Sequence, residues 1–133
     1  MEISLKKIYL TKDVLAKLIL CKWDTPQKSY NVYMFYKEIE DKLIFFYQEK
    51  NKIVKTLGEI SDSGKYEVKK ENMELFKQEV ESLLNQNVDI PDPGITMEDI
   101  TKAAYSENES SWISPVEMYE IEKFLDLYKK KES

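Results

Sequence analysis

Histidine and arginine are both missing from this chain, whose 20 basic residues are all lysine. Without histidine it lacks the side chain most used for proton transfer near neutral pH and the commonest metal ligand. Without arginine it has no planar fork for bidentate capture of phosphate, carboxylate or guanine edges. The single cysteine, Cys21, excludes an internal disulfide, so nothing calls for an oxidising compartment. No imidazole or second thiol is present to activate Cys21, and it reads as a small buried hydrophobe. No apolar run approaches the ~20 residues that span a bilayer. The opening MEISLKKIYL has neither the apolar core nor the small-residue cleavage site of a signal peptide. These absences predict a cytoplasmic protein that is not an enzyme, with no cofactor, no metal and no membrane partner.

What is present fits one domain spanning residues 1–133, 42% hydrophobic and 34% charged. Its charge is uneven. Residues 1–66 carry 12 lysines against 9 acids, a balance of +3, and residues 67–133 carry 8 against 16, a balance of −8. Segment 89–126 holds 10 of those acids and only 2 lysines. Such a stretch repels nucleic acid and suits a basic protein surface.

The longest pattern runs from Tyr30 to Leu57. Val32, Tyr36, Ile39, Leu43, Phe46, Lys50, Ile53 and Leu57 fall at 4-3-4-3-4-3-4, the seam of a helix buried along one side. Thr25-Pro26 supplies a cap and a first-turn proline, and Gly58 stands at the end as a residue tolerant of positive φ. Tyr33, Ile44, Tyr47 and Val54 form a second stripe, with Phe35 and Phe45 elsewhere round the cylinder. Coverage this wide predicts contact with two layers or with a second chain.

Around that helix the remaining elements follow in order. Ile3, Leu5, Ile8 and Leu10 suggest an opening strand with a bulge near Lys6-Lys7, and Thr11 a cap for a short helix carrying Val14, Leu15, Leu18 and Ile19. After Gly58, Asp62-Ser63-Gly64 reads as the turn of a β-hairpin. Asn72 then caps a helix over about 72–86, whose Met73, Phe76, Val80 and Leu83 face the seam in antiparallel. Residues 30–86 thus form a helical hairpin with a β tip. In the acidic region 87–133, Val88-Asp89-Ile90 predicts a short edge strand ended by Pro91. Thr96 with Asp99 has capping-box spacing, 105–111 is a polar loop suited to flexibility, and Trp112-Ile113 suggests another strand. Ser114-Pro115 with Glu117 starts a last helix, with Met118, Ile121, Phe124, Leu125 and Tyr128 inward. The fold class is α+β, mostly helical: a long helix paired with a shorter antiparallel helix, plus short strands and a C-terminal helix.

This order of features, with "SDSGKYEV", "FKQEVESLLNQNVDI" and "ISPVEMYEIEKFL" in succession, resembles that of small uncharacterised proteins of phages and prophages of low-GC Gram-positive bacteria. The resemblance covers about residues 30–127 and is one of layout. It implies a phage or prophage origin, which would make the expected cytoplasm that of a bacterial host cell, and it supplies no active site.

The function expected is therefore that of a non-enzymatic phage-encoded protein-binding factor. The leading form is an inhibitor of a host defence or nucleic-acid-handling protein, whose basic groove would receive the acidic surface. The alternative is a virion or tail assembly accessory protein working through helix–helix oligomer contacts. Candidate partner-binding residues are Glu98, Asp99, Tyr105, Glu107, Glu109 and Trp112 in the acidic region, with Tyr33 and Tyr47 on the long helix. The run Tyr30, Tyr33, Phe35, Tyr36 offers ring faces for stacking, but with no arginine and glutamates close by it reads as core or interface. Carboxylate pairs Glu38/Asp41 and Glu117/Glu120 share helix faces, as charged surface helices commonly arrange.

Overall fold

The computed structural model describes residues 1–104 and 112–132, with side chains through residue 128. Strand β1 is only Glu2–Ser4, and helix α1 runs Leu5–Ala16. The expected longer strand is thus replaced by a helix. Ser4 explains why: its hydroxyl accepts from the Lys7 N–H at 3.2 Å, capping a segment that buries Leu5, Ile8, Val14 and Leu15 at helical spacing. Leu10, inward in a strand alternation, is 67% exposed. Thr11 caps nothing; it is buried within α1 and its hydroxyl donates to the Lys7 carbonyl at 2.7 Å.

A 3₁₀ turn, Lys17–Leu20, leads to helix α2, Pro26–Leu57. Its 32 residues make it roughly 48 Å long. Thr25 caps it as expected, its hydroxyl accepting from the Lys28 N–H at 3.2 Å. The hairpin of β2 (Gly58–Ile60) and β3 (Tyr66–Val68) pairs Gly58 with Val68 and Ile60 with Tyr66, and Gly64 takes φ 83° in its turn. Gly58 differs from its expected role. Its φ of −118° is ordinary extended backbone, and its requirement is space. A Cβ there would lie 2.6 Å from the Val54 carbonyl oxygen and 2.9 Å from the Glu67 carbonyl carbon.

Helix α3, Met73–Leu84, returns along the far part of α2. Asn72 does not cap it; its side chain donates instead to the Leu57 carbonyl at 2.9 Å, bolting the start of α3 to the end of α2. None of the side chains of α3 is fully buried: Met73 is exposed, and Phe76, Val80 and Leu83 are half-buried. Strand β4, Asn87–Asp89, pairs antiparallel with β1, setting Val88 opposite Ile3. Helices α4 (Met97–Ala104) and α5 (Pro115–Glu132) complete the described chain. Both capping boxes form. The Asp99 N–H donates to Thr96 Oγ1 at 3.1 Å and the Thr96 N–H to Asp99 Oδ2 at 3.0 Å. Ser114 and Glu117 make the same exchange at 3.2 and 3.0 Å. Trp112 and Ile113 are not a strand, Ile113 instead entering the core from the segment before α5.

The core lies on the first two-thirds of α2. Val32, Phe35, Ile39 and Leu43 are buried in one cluster with residues of α1, the α4 region and α5, and Phe46 is buried beside Tyr9 of α1 at 5.2 Å between ring centroids. Phe35, expected off the seam, is fully buried edge-on to Phe124 at 5.9 Å between ring centroids. It stands only about 40° from Ile39 on the helical wheel, so a third layer brought by α5 reaches it. The outcome is the mostly helical α+β architecture expected.

Candidate partner-binding surface

The two apolar stripes of α2 meet different fates. The chain's two ends cover the first part of the seam and α3 runs along the rest, whereas on the second stripe Tyr33, Ile44 and Tyr47 are 57%, 47% and 41% exposed. Val54 alone on that stripe is half-buried. Phe45 is also exposed, on another side of the helix. Isolated exposed hydrophobes need no explanation, but a row of them along one helix marks a contact surface.

At the upper end of this stripe the chain builds a groove of about 550 Å³. The 3₁₀ turn and the link after it bring Ile19, Cys21 and Trp23 against Val32, Tyr33 and Tyr36 of α2. The Trp23 indole is anchored, its Nε1–H donating to the Leu18 carbonyl at 3.0 Å. Lys37, Glu40 and Asp41 line the outer edge. Burial, with the carboxylates of Glu40 and Asp13 nearby, pushes the Tyr36 phenol above its ordinary value. Cys21 donates its S–H to the Lys17 carbonyl at 3.4 Å, and burial pushes its thiol up to about 11. At neutral pH it is a thiol, so its contribution here is shape.

The acidic residues lie elsewhere and have mixed roles. Asp99 closes the α4 capping box and takes the Lys28 ammonium at 2.8 Å, which holds its carboxyl below the usual range. Glu117 is similarly held low, with Lys17 at 2.7 Å and the Ser114 amide as causes. Each C-terminal capping box is therefore tied by its acid to a lysine of the N-terminal half. Asp99 is committed to the fold. Glu98 projects outward with its side chain 80% exposed, 3.7 Å from Lys102 on the next turn. Asp92, Glu122 and Asp126 edge a small cleft of about 100 Å³ over Tyr128. The Tyr128 hydroxyl donates to the Pro91 carbonyl at 3.1 Å, and burial with Asp92 and Asp89 nearby raises its pKa. Trp112 is half exposed just before α5. Tyr105, Glu107, Glu109 and the rest of the loop 105–111 lie outside the described residues.

The described candidate residues do not converge on one spot. Tyr33 and Tyr47 share a stripe but stand roughly 21 Å apart along the axis. Lys28, which receives Asp99, is about 140° round α2 from Tyr33, so α4 docks away from the tyrosine stripe. Of the carboxylate pairs, Glu117 meets Lys17 at 2.7 Å and Glu38 lies 3.8 Å from Lys42. Among the described residues no group of three or more cysteine, aspartate or glutamate side chains is placed to hold a metal ion. No described helix is long and apolar enough to cross a membrane.

Ile19 and Trp23 line the groove without having stood out in the sequence as partner-binding candidates. Ile19 fitted the apolar face of a helix, and Trp23 fell in a connecting loop. The available signal was a tryptophan two residues beyond a cysteine, just before a helix start with spare aromatics. Comparison with protein-family models, curated proteins and solved structures returns no match.

Proposed function

We propose that this chain is a non-catalytic, phage-encoded protein-binding factor that inhibits a basic, nucleic-acid-handling protein of the bacterial host. One observation supports the reading above others: α2 presents Tyr33, Ile44 and Tyr47 to solvent after every helix of the described chain has packed. Tyrosine is enriched at protein interfaces because it adds apolar area and a hydrogen-bonding tip at small entropic cost. The surplus of acids, with Glu98, Asp92 and Glu122 exposed, would speed encounter with a basic partner and give the association a marked salt dependence. The phage origin rests on the resemblance in layout.

Titrating the full chain into the activity assay of a basic host nuclease tests this. Inhibition is expected, weakened by salt, by Glu98→Gln with Asp92→Asn, and by Tyr33→Ala with Tyr47→Ala. Inhibition indifferent to all of these changes would remove the reading. Asp99 is unsuitable for the test because its loss would loosen α4.

The same stripe favours a second reading, a virion or tail assembly accessory protein that self-associates along α2. Light scattering at high concentration separates the two: an oligomer dissolved by Ile44→Glu supports assembly, and a monomer at every concentration opposes it.

A further inference from the structure

The groove at the upper end of α2 carries an inference of its own, which rests on the protein-binding reading and names what enters. Its floor is apolar and aromatic, from Trp23, Val32, Tyr33 and Tyr36, while its outer edge holds Glu40 and Asp41 against one ammonium, Lys37. Neither acid is engaged by any ion pair or hydrogen bond among the described residues. Asp13 of α1 adds to the negative field at Tyr36. Lys12, one residue before it, sits over the Tyr9 ring at 4.2 Å. The opening is therefore net negative and its floor is ring-lined. Its volume of about 550 Å³ falls in the range of sites that enclose side chains or small ligands.

We propose that this groove seats a short basic, amphipathic segment of a partner protein. One large apolar side chain enters over Trp23 and Tyr33, and a lysine or arginine about one turn further on meets Glu40 and Asp41. The charge argument selects this occupant. An acidic or neutral segment would leave both carboxylates facing a drier contact without compensation, which is costly. A cation gains from the carboxylates and from the exposed faces of the tyrosines. The apolar anchor supplies affinity and the charges supply orientation, the usual division at protein interfaces.

The test uses the full chain and two fluorescently labelled synthetic helical peptides, one of leucine and lysine and one with glutamate for every lysine. The lysine peptide should bind and the glutamate peptide should not. Binding of the lysine peptide should fall about tenfold or more, the equivalent of about 1.4 kcal/mol, in Glu40→Gln with Asp41→Asn and again in Tyr33→Ala. Glu98→Gln, on α4, should stay within about twofold of the parent, well under that energy. These positions are exposed, and an unchanged circular-dichroism melting curve confirms that each variant folds. Amide shifts on adding the peptide should centre on residues 19–23 and 29–41. Equal binding of both peptides, indifference to Glu40 and Asp41, or shifts centred on α4 and α5 would each overturn the groove assignment. If the nuclease is still inhibited by the Glu40→Gln, Asp41→Asn chain but not by the Glu98→Gln, Asp92→Asn chain, the groove assignment fails and the wider reading stands. Peptide binding at the groove without inhibition of any basic nuclease would fail the wider reading alone.

Discussion

Gly58 is the glycine with the least room for a side chain. Its backbone torsions suit any amino acid, yet the Val54 and Glu67 backbones close on the place a Cβ would take. Gly58→Ala should destabilise the chain by about 1–3 kcal/mol, the usual cost of overpacking, read as a lower urea midpoint with an unchanged slope. Gly64, at φ 83° with open space around it, should tolerate asparagine far better. Cys21 gives a second test at this scale. With its thiol pushed up to about 11 by burial, labelling by a disulfide reagent at neutral pH should be slow in the native chain and fast in urea. Native labelling at the rate of a free thiol would contradict the burial. That no imidazole or second thiol could activate Cys21 was already evident from composition. The groove beside Cys21 was not, because three of its lining residues approach α2 through a turn with no sequence pattern of its own.

Helix α2 shows what a residue's place on the wheel does and does not determine. Phe35 and Tyr33 are two residues apart, and one is fully buried while the other is 57% exposed. Phe35→Ala should cost about 3–5 kcal/mol, whereas Tyr33→Ala should stay within about 0.5 kcal/mol; chemical denaturation of the two variants checks the contrast. The cap at Thr25, the heptad seam and both capping boxes were legible because each is a local rule met within one or two turns. The opening suggests a strand because Ile3 with Leu5 and Ile8 with Leu10 alternate, whereas on the helix that forms only Leu5 and Ile8 share the buried face and Leu10 points to solvent. Only Ser4 capping and the pairing of β1 with β4 decide between them. Asn72 had the composition of a cap, but the nearby Leu57 carbonyl took its side chain.

Over the whole molecule, the charge imbalance between the halves is partly an internal fastening. Lys28 to Asp99 and Lys17 to Glu117 join the N-terminal half to α4 and α5. Both carboxyls are held below their ordinary values, so the folded state binds fewer protons there than the unfolded chain. Their stabilisation is present above the ordinary carboxylate range and is lost as pH falls through the folded values. Lys28 is raised by the same pairing, so its share is intact at neutral pH and lost only as pH rises through its folded value. The urea midpoint should therefore fall as pH is lowered from 7 through the carboxylate range. Asp99→Asn with Glu117→Gln should flatten that dependence and cost about 1–2 kcal/mol at neutral pH through weakened caps. A wild-type profile as flat as the variant's would refute the fastening. By itself the sequence determined the helical character, the cap and end of α2, both capping boxes, the hairpin turn and the absence of histidine and arginine chemistry, since all depend on composition or on neighbours within a few residues. Only the tertiary structure decided which stripe of α2 is covered, that Asp99 and Glu117 are fastened inside, and that Trp23 meets Tyr33 in a groove. Those outcomes depend on contacts between residues far apart in sequence, and a helix with two apolar stripes does not itself specify which one its own chain will bury.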